Sequence, residues 1–95
     1  MRQWDNLDVY KGYYKDGKRH GQGHMIWKND EEEYEGEWFN GVQNGNGTEI
    51  SYLNGRKTTY RGMWMDGKRH GQGRIEYSDG SVLEGKWNNG RKVSN

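Results

Sequence analysis

The sequence predicts an all-β fold made of consecutive β-hairpins, and three observations support this prediction. The chain repeats itself, because the octapeptide DGKRHGQG occurs at residues 16–23 and again at residues 66–73. Around this peptide, apolar residues alternate with polar ones at a spacing of two, which is typical of strands with one buried face. Proline and alanine are absent and the 16 glycines are spread along the chain, so long helices have little support.

The repeat divides the chain into a single array of units, each of about 23 residues. Segments that begin at Tyr10, Tyr34, Tyr60 and Leu83 align without gaps, and their starts are 24, 26 and 23 residues apart. The predicted array covers residues 1–95 as a partial unit at 1–9, complete units at 10–33, 34–59 and 60–82, and a truncated unit at 83–95.

The first strand of each unit places an aromatic residue, a glycine and a second aromatic residue on one face, as in Tyr10, Gly12 and Tyr14. The equivalent sets are Tyr34–Gly36–Trp38, Tyr60–Gly62–Trp64 and, with leucine first, Leu83–Gly85–Trp87. A glycine inside a strand costs stability unless another group approaches the backbone closely. We therefore expect a ring from the adjacent strand to lie over each of these glycines, which would form a thin aromatic core without a second sheet.

The octapeptide is interpreted as the turn of each hairpin. Gly17 and Gly21 can adopt a positive φ at little cost, and Asp16 before Gly17 is a common turn pair. The residues assigned to this structural turn are Gly17, His20, Gly21, Gly23, Gly67, His70, Gly71 and Gly73. A second strand follows in each unit. In the middle unit it has one extra residue, which predicts a β-bulge between Gly47 and Tyr52 that keeps Tyr52 facing inward.

Composition limits the chain to one small domain and excludes several functions. Only 28% of the residues are apolar and 31% are charged, which would usually indicate disorder, but 14% are aromatic, and disordered chains contain few aromatic residues. Because cysteine is absent, disulfides, zinc–thiolate sites and thiol catalysis are excluded. No apolar run approaches the roughly 20 residues of a transmembrane helix, and the N-terminus lacks the apolar region of a signal peptide.

Charge is distributed unevenly along a chain whose net charge is only +1. Residues 1–27 carry five cations and three anions, residues 28–49 carry one cation and seven anions, and residues 50–95 carry nine cations and four anions. This distribution favours polar partners but falls far short of a nucleic-acid-binding composition. We therefore expect no nucleic acid partner.

Catalytic and ligand-binding interpretations of the octapeptide have less support than the turn. A phosphate-binding loop carries Ser or Thr after its lysine and continues into a helix, and neither feature follows here. His20 and His70 recur at equivalent positions, which indicates a structural hydrogen bond or stacking contact rather than a catalytic base or metal ligand. The acidic run at residues 30–33 lacks the glycine turn of a calcium loop. We expect no catalytic residue, no metal and no cofactor.

The repeated pattern, tyrosine-x-glycine-x-tryptophan-x-x-glycine-lysine-x-histidine-glycine-x-glycine, resembles the MORN repeat (membrane occupation and recognition nexus) from about Trp4 to Val93. The second unit departs from it at Val42, Gln43 and Asn44. The resemblance implies an elongated, twisted, single-layer antiparallel β-meander with one hairpin per unit. It also implies a cytoplasmic interaction module that scaffolds cytoskeletal, ciliary or membrane-proximal assemblies, dimerises, or binds helical or extended segments of protein partners.

We therefore expect a non-enzymatic scaffold that presents a groove of rings and glycines to a protein partner. The residues predicted to form this partner-binding groove are Tyr10, Tyr14, Tyr34, Trp38, Tyr60, Trp64 and Trp87. Open sheet edges also predict self-association. Two alternatives remain: an accessory part of a larger enzyme, and a peripheral membrane module. The basic residues that would contact anionic lipid or an acidic partner are Lys18, Arg19, Lys68, Arg69, Arg91 and Lys92.

Overall fold

The structure, a computed structural model, describes residues 7–94, and Trp4, which we assigned to the partial first unit, lies outside them. One sheet contains eight antiparallel strands in sequence order, so that β1 and β8 form its edges. The strands are β1 (Val9–Lys15), β2 (Lys18–Trp27), β3 (Glu32–Phe39), β4 (Val42–Leu53), β5 (Arg56–Met65), β6 (Lys68–Tyr77), β7 (Val82–Asn88) and β8 (Arg91–Ser94). The predicted antiparallel meander of hairpins is confirmed.

The described residues extend over 38 × 28 × 18 Å. Strands β2 and β3 are linked by one turn of 3₁₀ helix, Lys28–Asp30. Across residues 7–94, no helix has the length and apolar character needed to cross a bilayer.

Each hairpin reverses through a two-residue turn in which both residues have a positive φ. Asp16 has a φ of 52° and Gly17 a φ of 77°. Both φ angles are also positive in the equivalent turns, which are Asn40–Gly41, Asp66–Gly67 and Asn89–Gly90. This combination suits a hairpin because its twist matches the twist of the strands, and it selects Asp or Asn followed by Gly. The assignment of the whole octapeptide to the turn was too broad. The residues that lie in β2 or β6 instead are His20, Gly21, Gly23, His70, Gly71 and Gly73.

The second half of the octapeptide forms a bulge rather than a turn. Gly12 pairs with Gly23, and Tyr14, two residues later on β1, pairs with Arg19, four residues earlier on β2. Strand β2 therefore contains two extra residues between these pairs, and they form the bulge. Gly21 lies within this bulge with a φ of 78°. The same shift occurs in the second and third hairpins. A positive φ at this point explains why the octapeptide carries glycine there.

The bulge that we predicted between Gly47 and Tyr52 is wrong. Strand β4 pairs without interruption with both of its neighbours over this segment. The extra residue instead lengthens β4, which then turns at Asn54–Gly55. Glu49 therefore lies opposite Tyr34 and Tyr60, on the face that carries the rings, and Tyr52 lies on the other face.

A row of paired glycines crosses the sheet, one from each of strands β1 to β7. The row consists of Gly12, Gly23, Gly36, Gly47, Gly62, Gly73 and Gly85. A Cβ atom on Gly36 would lie 2.5 Å from the backbone oxygen of Asn46, which is too close for any side chain. Glycine is therefore required here by the close approach of the two strands.

Tyrosine rings lie over this row, although not over the glycines that we predicted. The rings of Tyr10, Tyr34 and Tyr60 cover Gly23, Gly47 and Gly73, which belong to the second strand of each hairpin. The first-strand glycines Gly12, Gly36 and Gly62 instead meet the backbone of their paired glycine and the hydroxyl of the tyrosine two residues earlier. Each tyrosine therefore lies diagonally across a glycine pair, and both glycines make room for it.

The core is a ladder of alternating tyrosine and tryptophan rings. Tyr34 packs edge-to-face against Trp38 at 5.2 Å and against Trp64 of the next hairpin at 5.1 Å. The ladder continues through Tyr10, Tyr60 and Trp87. The hydroxyl of Tyr34 donates to the carbonyl of Glu37, and Nε1 of Trp38 donates to the carbonyl of Gly23. Each edge-to-face pair contributes about 0.5–1.5 kcal/mol to stability, in addition to the free energy gained by burying the apolar surface of its rings. We call the face that carries this ladder the inner face and the opposite face the outer face.

Candidate functional site on the inner face

Most rings of the predicted partner-binding groove belong to the core. Tyr34 and Tyr60 have no exposed surface, and Trp38, Trp64 and Trp87 are at most 5% exposed. Tyr10 is half-buried, and Tyr14 is 57% exposed at the open edge of the sheet. Because these buried rings fill the core, they have little surface for a partner, and access to the inner face depends on the residues around them.

A groove of about 430 Å³ opens on the inner face at the second hairpin. We call it the central groove. It is lined by Arg19, Trp27, Glu32, Trp38, Gly41, Val42, Gln43, Glu49, Trp64, Asp66, Gly67 and Lys68. The groove therefore combines the edges of indole rings with charged side chains of both signs.

The groove exists because the second hairpin departs from the repeat. In the first and third hairpins, the residues opposite the ladder tyrosines are Met25 and Ile75, and both are buried. The longer β4 places Glu49 at the equivalent position and Ser51 where the first hairpin has Trp27. A carboxylate and a small hydroxyl fill less of the inner face than a thioether and an indole, which leaves the space open.

Glu49 is held in this position by an ion pair. Its carboxylate accepts a hydrogen bond of 2.8 Å from Nη2 of Arg69, and both side chains are partly buried. The guanidinium of Arg69 also lies 4.7 Å from the centre of the Tyr60 ring. Burial raises the pKa of Tyr60; Arg69 opposes this effect and Glu49 adds to it. Burial raises the pKa of Tyr34 more strongly, and the charges of Glu37 and Glu49 add to it.

Arg19 has an equivalent position in the first hairpin. Its guanidinium lies 4.8 Å from the centre of the Trp38 ring, and its Nη2 donates a hydrogen bond of 2.8 Å to the carbonyl of Gly41. Burial lowers the pKa of Arg19, while Tyr10, Tyr14 and other nearby groups oppose this shift. The side chain therefore covers core rings instead of extending from the turn.

A second groove, of about 690 Å³, lies between the β4–β5 turn and the β6–β7 turn. We call it the lateral groove. It is lined by Leu53, Asn54, Arg56, Thr58, Tyr77, Ser78, Asp79 and Ser81. Ser51 pairs with Glu32 of the central groove on one side and with Thr58 of the lateral groove on the other. Ser51 therefore lies between the two grooves, and we call the surface that leads from one groove to the other across Ser51 the path over the inner face.

The predicted basic residues share one edge of the sheet. The turn glycines Gly41, Gly67 and Gly90 each donate a 2.9 Å hydrogen bond to a carbonyl of the preceding hairpin, which stacks the turns along this edge. Lys18, Lys68 and Arg91 are exposed there, and Lys92 is half-buried. Arg19 and Arg69 point towards the inner face, so the exposed basic stripe is narrower than the sequence indicated.

The two repeated histidines lie on β2 and β6. The ring of His20 is 5.2 Å from that of Phe39 at the neighbouring turn, which is the kind of stacking contact that the sequence indicated. The buried Nδ1 atoms of His20 and His70 have no hydrogen-bond partner within the part of the chain that the structure describes. In that same part, no three histidine, aspartate or glutamate side chains are grouped as metal ligands would be.

The outer face is mainly polar. His24 and Glu33 form a 2.9 Å contact, and Arg74 approaches both Glu76 and Glu84. Exposed apolar residues outside the core include Tyr13, Phe39, Met63, Met65 and Val82. This face therefore offers isolated apolar side chains among ion pairs.

Sequence reasoning missed Glu32, Glu49 and the lateral groove as candidate site residues. The signal was present in the count of residues after Gly47, because alternation without a bulge places Glu49 and Ser51 on the inner face. We assumed instead that an apolar residue must occupy each inward position.

The family model of the MORN repeat matches residues 10–31, 34–52 and 60–82, which together make up about two thirds of the chain. No curated protein matches the sequence.

Proposed function

Because the chain belongs to the MORN-repeat family, whose repeats are commonly protein- or membrane-interaction modules and generally non-catalytic, we propose that it is a non-catalytic module that binds another protein on its inner face. The partner contributes a helical or extended segment that occupies the central and lateral grooves. In the cell, such a module would act as a scaffold in a cytoplasmic assembly at the cytoskeleton, a cilium or a membrane.

The observation that carries this proposal is the position of Glu49 within the aromatic core. Met25 and Ile75 indicate what the fold favours at this position, namely an apolar side chain. Removing a carboxylate and its guanidinium partner from water costs several kcal/mol, and the ion pair recovers this only in part. A polar group in such a place is better explained by binding than by stability, because function depends on specific sites rather than on the fold.

The shape of the inner face also favours a protein segment as the ligand. The path from the central groove to the lateral groove crosses strands from the second and third hairpins, and it offers both ring edges and polar groups. Mixed surfaces of this kind, with aromatic residues at the centre and charged residues around them, are typical of protein interfaces.

A membrane role through the basic edge has weaker support. Each exposed cation near an anionic membrane contributes about 1 kcal/mol to the free energy of binding. The described edge exposes the cations Lys18, Lys68 and Arg91, but it also exposes the anions Asp16 and Asp66, which an anionic membrane repels. Arg19 and Arg69, which we had included, are engaged with core rings.

Site-specific photo-cross-linking in the native cell tests this proposal. A photoreactive amino acid is introduced either at Thr58, which lines the lateral groove, or at Thr48, which lies on the outer face of the neighbouring strand. Both threonines are half-buried, so the two variants are matched. We expect Thr58 to cross-link to a protein and Thr48 to give none. Equal protein adducts at both positions, or lipid adducts alone, would contradict the proposal.

A further inference from the structure

The first and third hairpins each place an arginine over the rings of the inner face. Arg19 pairs with Tyr14 and lies over Trp38, the tryptophan of the following hairpin. Arg69 pairs with Trp64 and lies over Tyr60 of its own hairpin. The guanidinium groups thus cover the ladder from the same position of the repeat.

The second hairpin has no arginine at this position. Gln43 pairs with Trp38 as Arg19 pairs with Tyr14, so the two residues are equivalent. The indole that corresponds to the one under Arg19 is Trp64. Gln43 and Trp64 both line the central groove. The central groove therefore lies where an arginine of the second hairpin would extend.

The charges around this space suit a guanidinium. Three carboxylates line the central groove, those of Glu32, Glu49 and Asp66, together with the cations Arg19 and Lys68. Arg19 donates to the carbonyl of Gly41, so its own guanidinium is already engaged. The carboxylate of Glu49 accepts a hydrogen bond from Arg69, and a carboxylate can accept hydrogen bonds from further donors.

We infer that the central groove binds an arginine side chain of the partner, in the place that the repeat leaves open at Gln43. This inference rests on the proposed function, because it specifies what the partner segment must carry. Arginine is favoured over lysine because its planar group can stack on an indole and donate to a carboxylate at the same time. The third hairpin provides a model of this arrangement in the contact of Arg69 with Tyr60 and Glu49.

The test selects binders from a library of random linear peptides displayed on phage, with the whole chain as bait. We expect the selected peptides to share an arginine. Replacing that arginine by alanine should weaken binding at least about tenfold, and replacing it by lysine should also weaken binding, because lysine cannot both stack and donate in the same plane.

The matching change in the protein is Gln43→Arg, which supplies an arginine from the chain itself. We expect this variant to fold, since Arg19 and Arg69 are accommodated at the equivalent positions, and to bind the selected peptides at least about tenfold more weakly. Gln72→Arg is the control, because Gln72 is exposed on the outer face and the substitution is the same. It should bind the peptides as the wild type does.

A third variant separates failure of this inference from failure of the proposed function. Ser51→Trp obstructs the path between the two grooves without adding charge. If the selected peptides lack arginine, or bind Gln43→Arg as well as wild type, yet lose affinity for Ser51→Trp, the arginine site is overturned and the proposed function stands. If no peptide is selected, or if binding is unaffected by both Gln43→Arg and Ser51→Trp, both are overturned.

Discussion

The second and third hairpins share one backbone plan but differ in what their inner faces contain. Both have the paired glycines, the register shift and the two-residue turn. The third hairpin repeats the octapeptide of the first and buries Ile75 opposite Tyr60, whereas the second places Glu49 opposite the same ring. The shared features are those that the backbone requires, and the differing ones line the candidate site. The regular features of this chain reflect what the fold requires, and we propose that the departures from them serve binding.

The first prediction concerns what the two hairpins share. Gly36→Ala in the second hairpin should destabilise the protein by about 3 kcal/mol or more, because its Cβ would overlap the backbone of the paired strand. Gly62→Ala in the third hairpin should have an effect of similar size, since its Cβ would lie 2.5 Å from the backbone oxygen of Gln72. Urea unfolding followed by tryptophan fluorescence measures both.

Gly17→Ala is the control for this pair. The space around Gly17 is open, so alanine there should cost only the strain of a positive φ, about 1–2 kcal/mol. A large difference between Gly36→Ala and Gly62→Ala would contradict the view that the two hairpins share one backbone requirement.

The second prediction exchanges what the two hairpins do not share. Ile75→Glu should destabilise the protein by roughly 3 kcal/mol, because Ile75 is only 7% exposed and Arg69 is already paired with Glu49. The double variant Glu49→Ile/Arg69→Met should change stability by less than about 1 kcal/mol, because apolar side chains replace both partners of a costly ion pair and leave no charge unpaired.

Chemical unfolding of the two variants at neutral pH provides the measurement. We expect this asymmetry because Ile75→Glu buries a carboxylate without a partner, whereas the double variant removes both charges together. If the double variant proved as destabilising as Ile75→Glu, the ion pair of Glu49 would be structural, and the observation behind the proposed function would be lost.

Much of this fold could be predicted from the sequence because the repeat encodes local geometry. The alternation of apolar and polar residues with a period of two predicted the strands, and the Asp-Gly and Asn-Gly pairs predicted the turns. The position of the bulge could not be read in the same way. It depends on the pairing of glycines across strands, such as Gly12 with Gly23, and such long-range pairing is not visible in one strand's pattern.

The candidate site was less predictable because it depends on orientation and burial. We treated Arg19 and Arg69 as loop residues, whereas β2 and β6 begin before them, so that each side chain is directed onto a ring. We also expected the ladder tryptophans to be available to a partner, although packing between neighbouring hairpins covers them. Residue spacing predicts which face a side chain occupies, but it does not predict how much of that side chain its neighbours cover.

The third and smallest effect compares the tyrosines of the two hairpins. The pKa of Tyr34 is raised by burial and further by the charges of Glu37 and Glu49, whereas for Tyr60 Arg69 opposes the effect of burial. Below pH 10 the tyrosines are protonated in both the folded and the unfolded chain. Above pH 10 the unfolded chain releases these protons while the folded chain retains them, so stability falls as pH rises, at about 1.4 kcal/mol per pH unit for each retained proton.

Urea unfolding between pH 9 and about pH 11.5 should show that Tyr34→Phe removes more of this decline than Tyr60→Phe. Each substitution also removes one hydrogen bond to a carbonyl, but that loss is independent of pH over this range and leaves the slope unchanged. Equal slopes for the two variants would mean that Glu49 and Arg69 do not distinguish the electrostatic surroundings of the second and third hairpins.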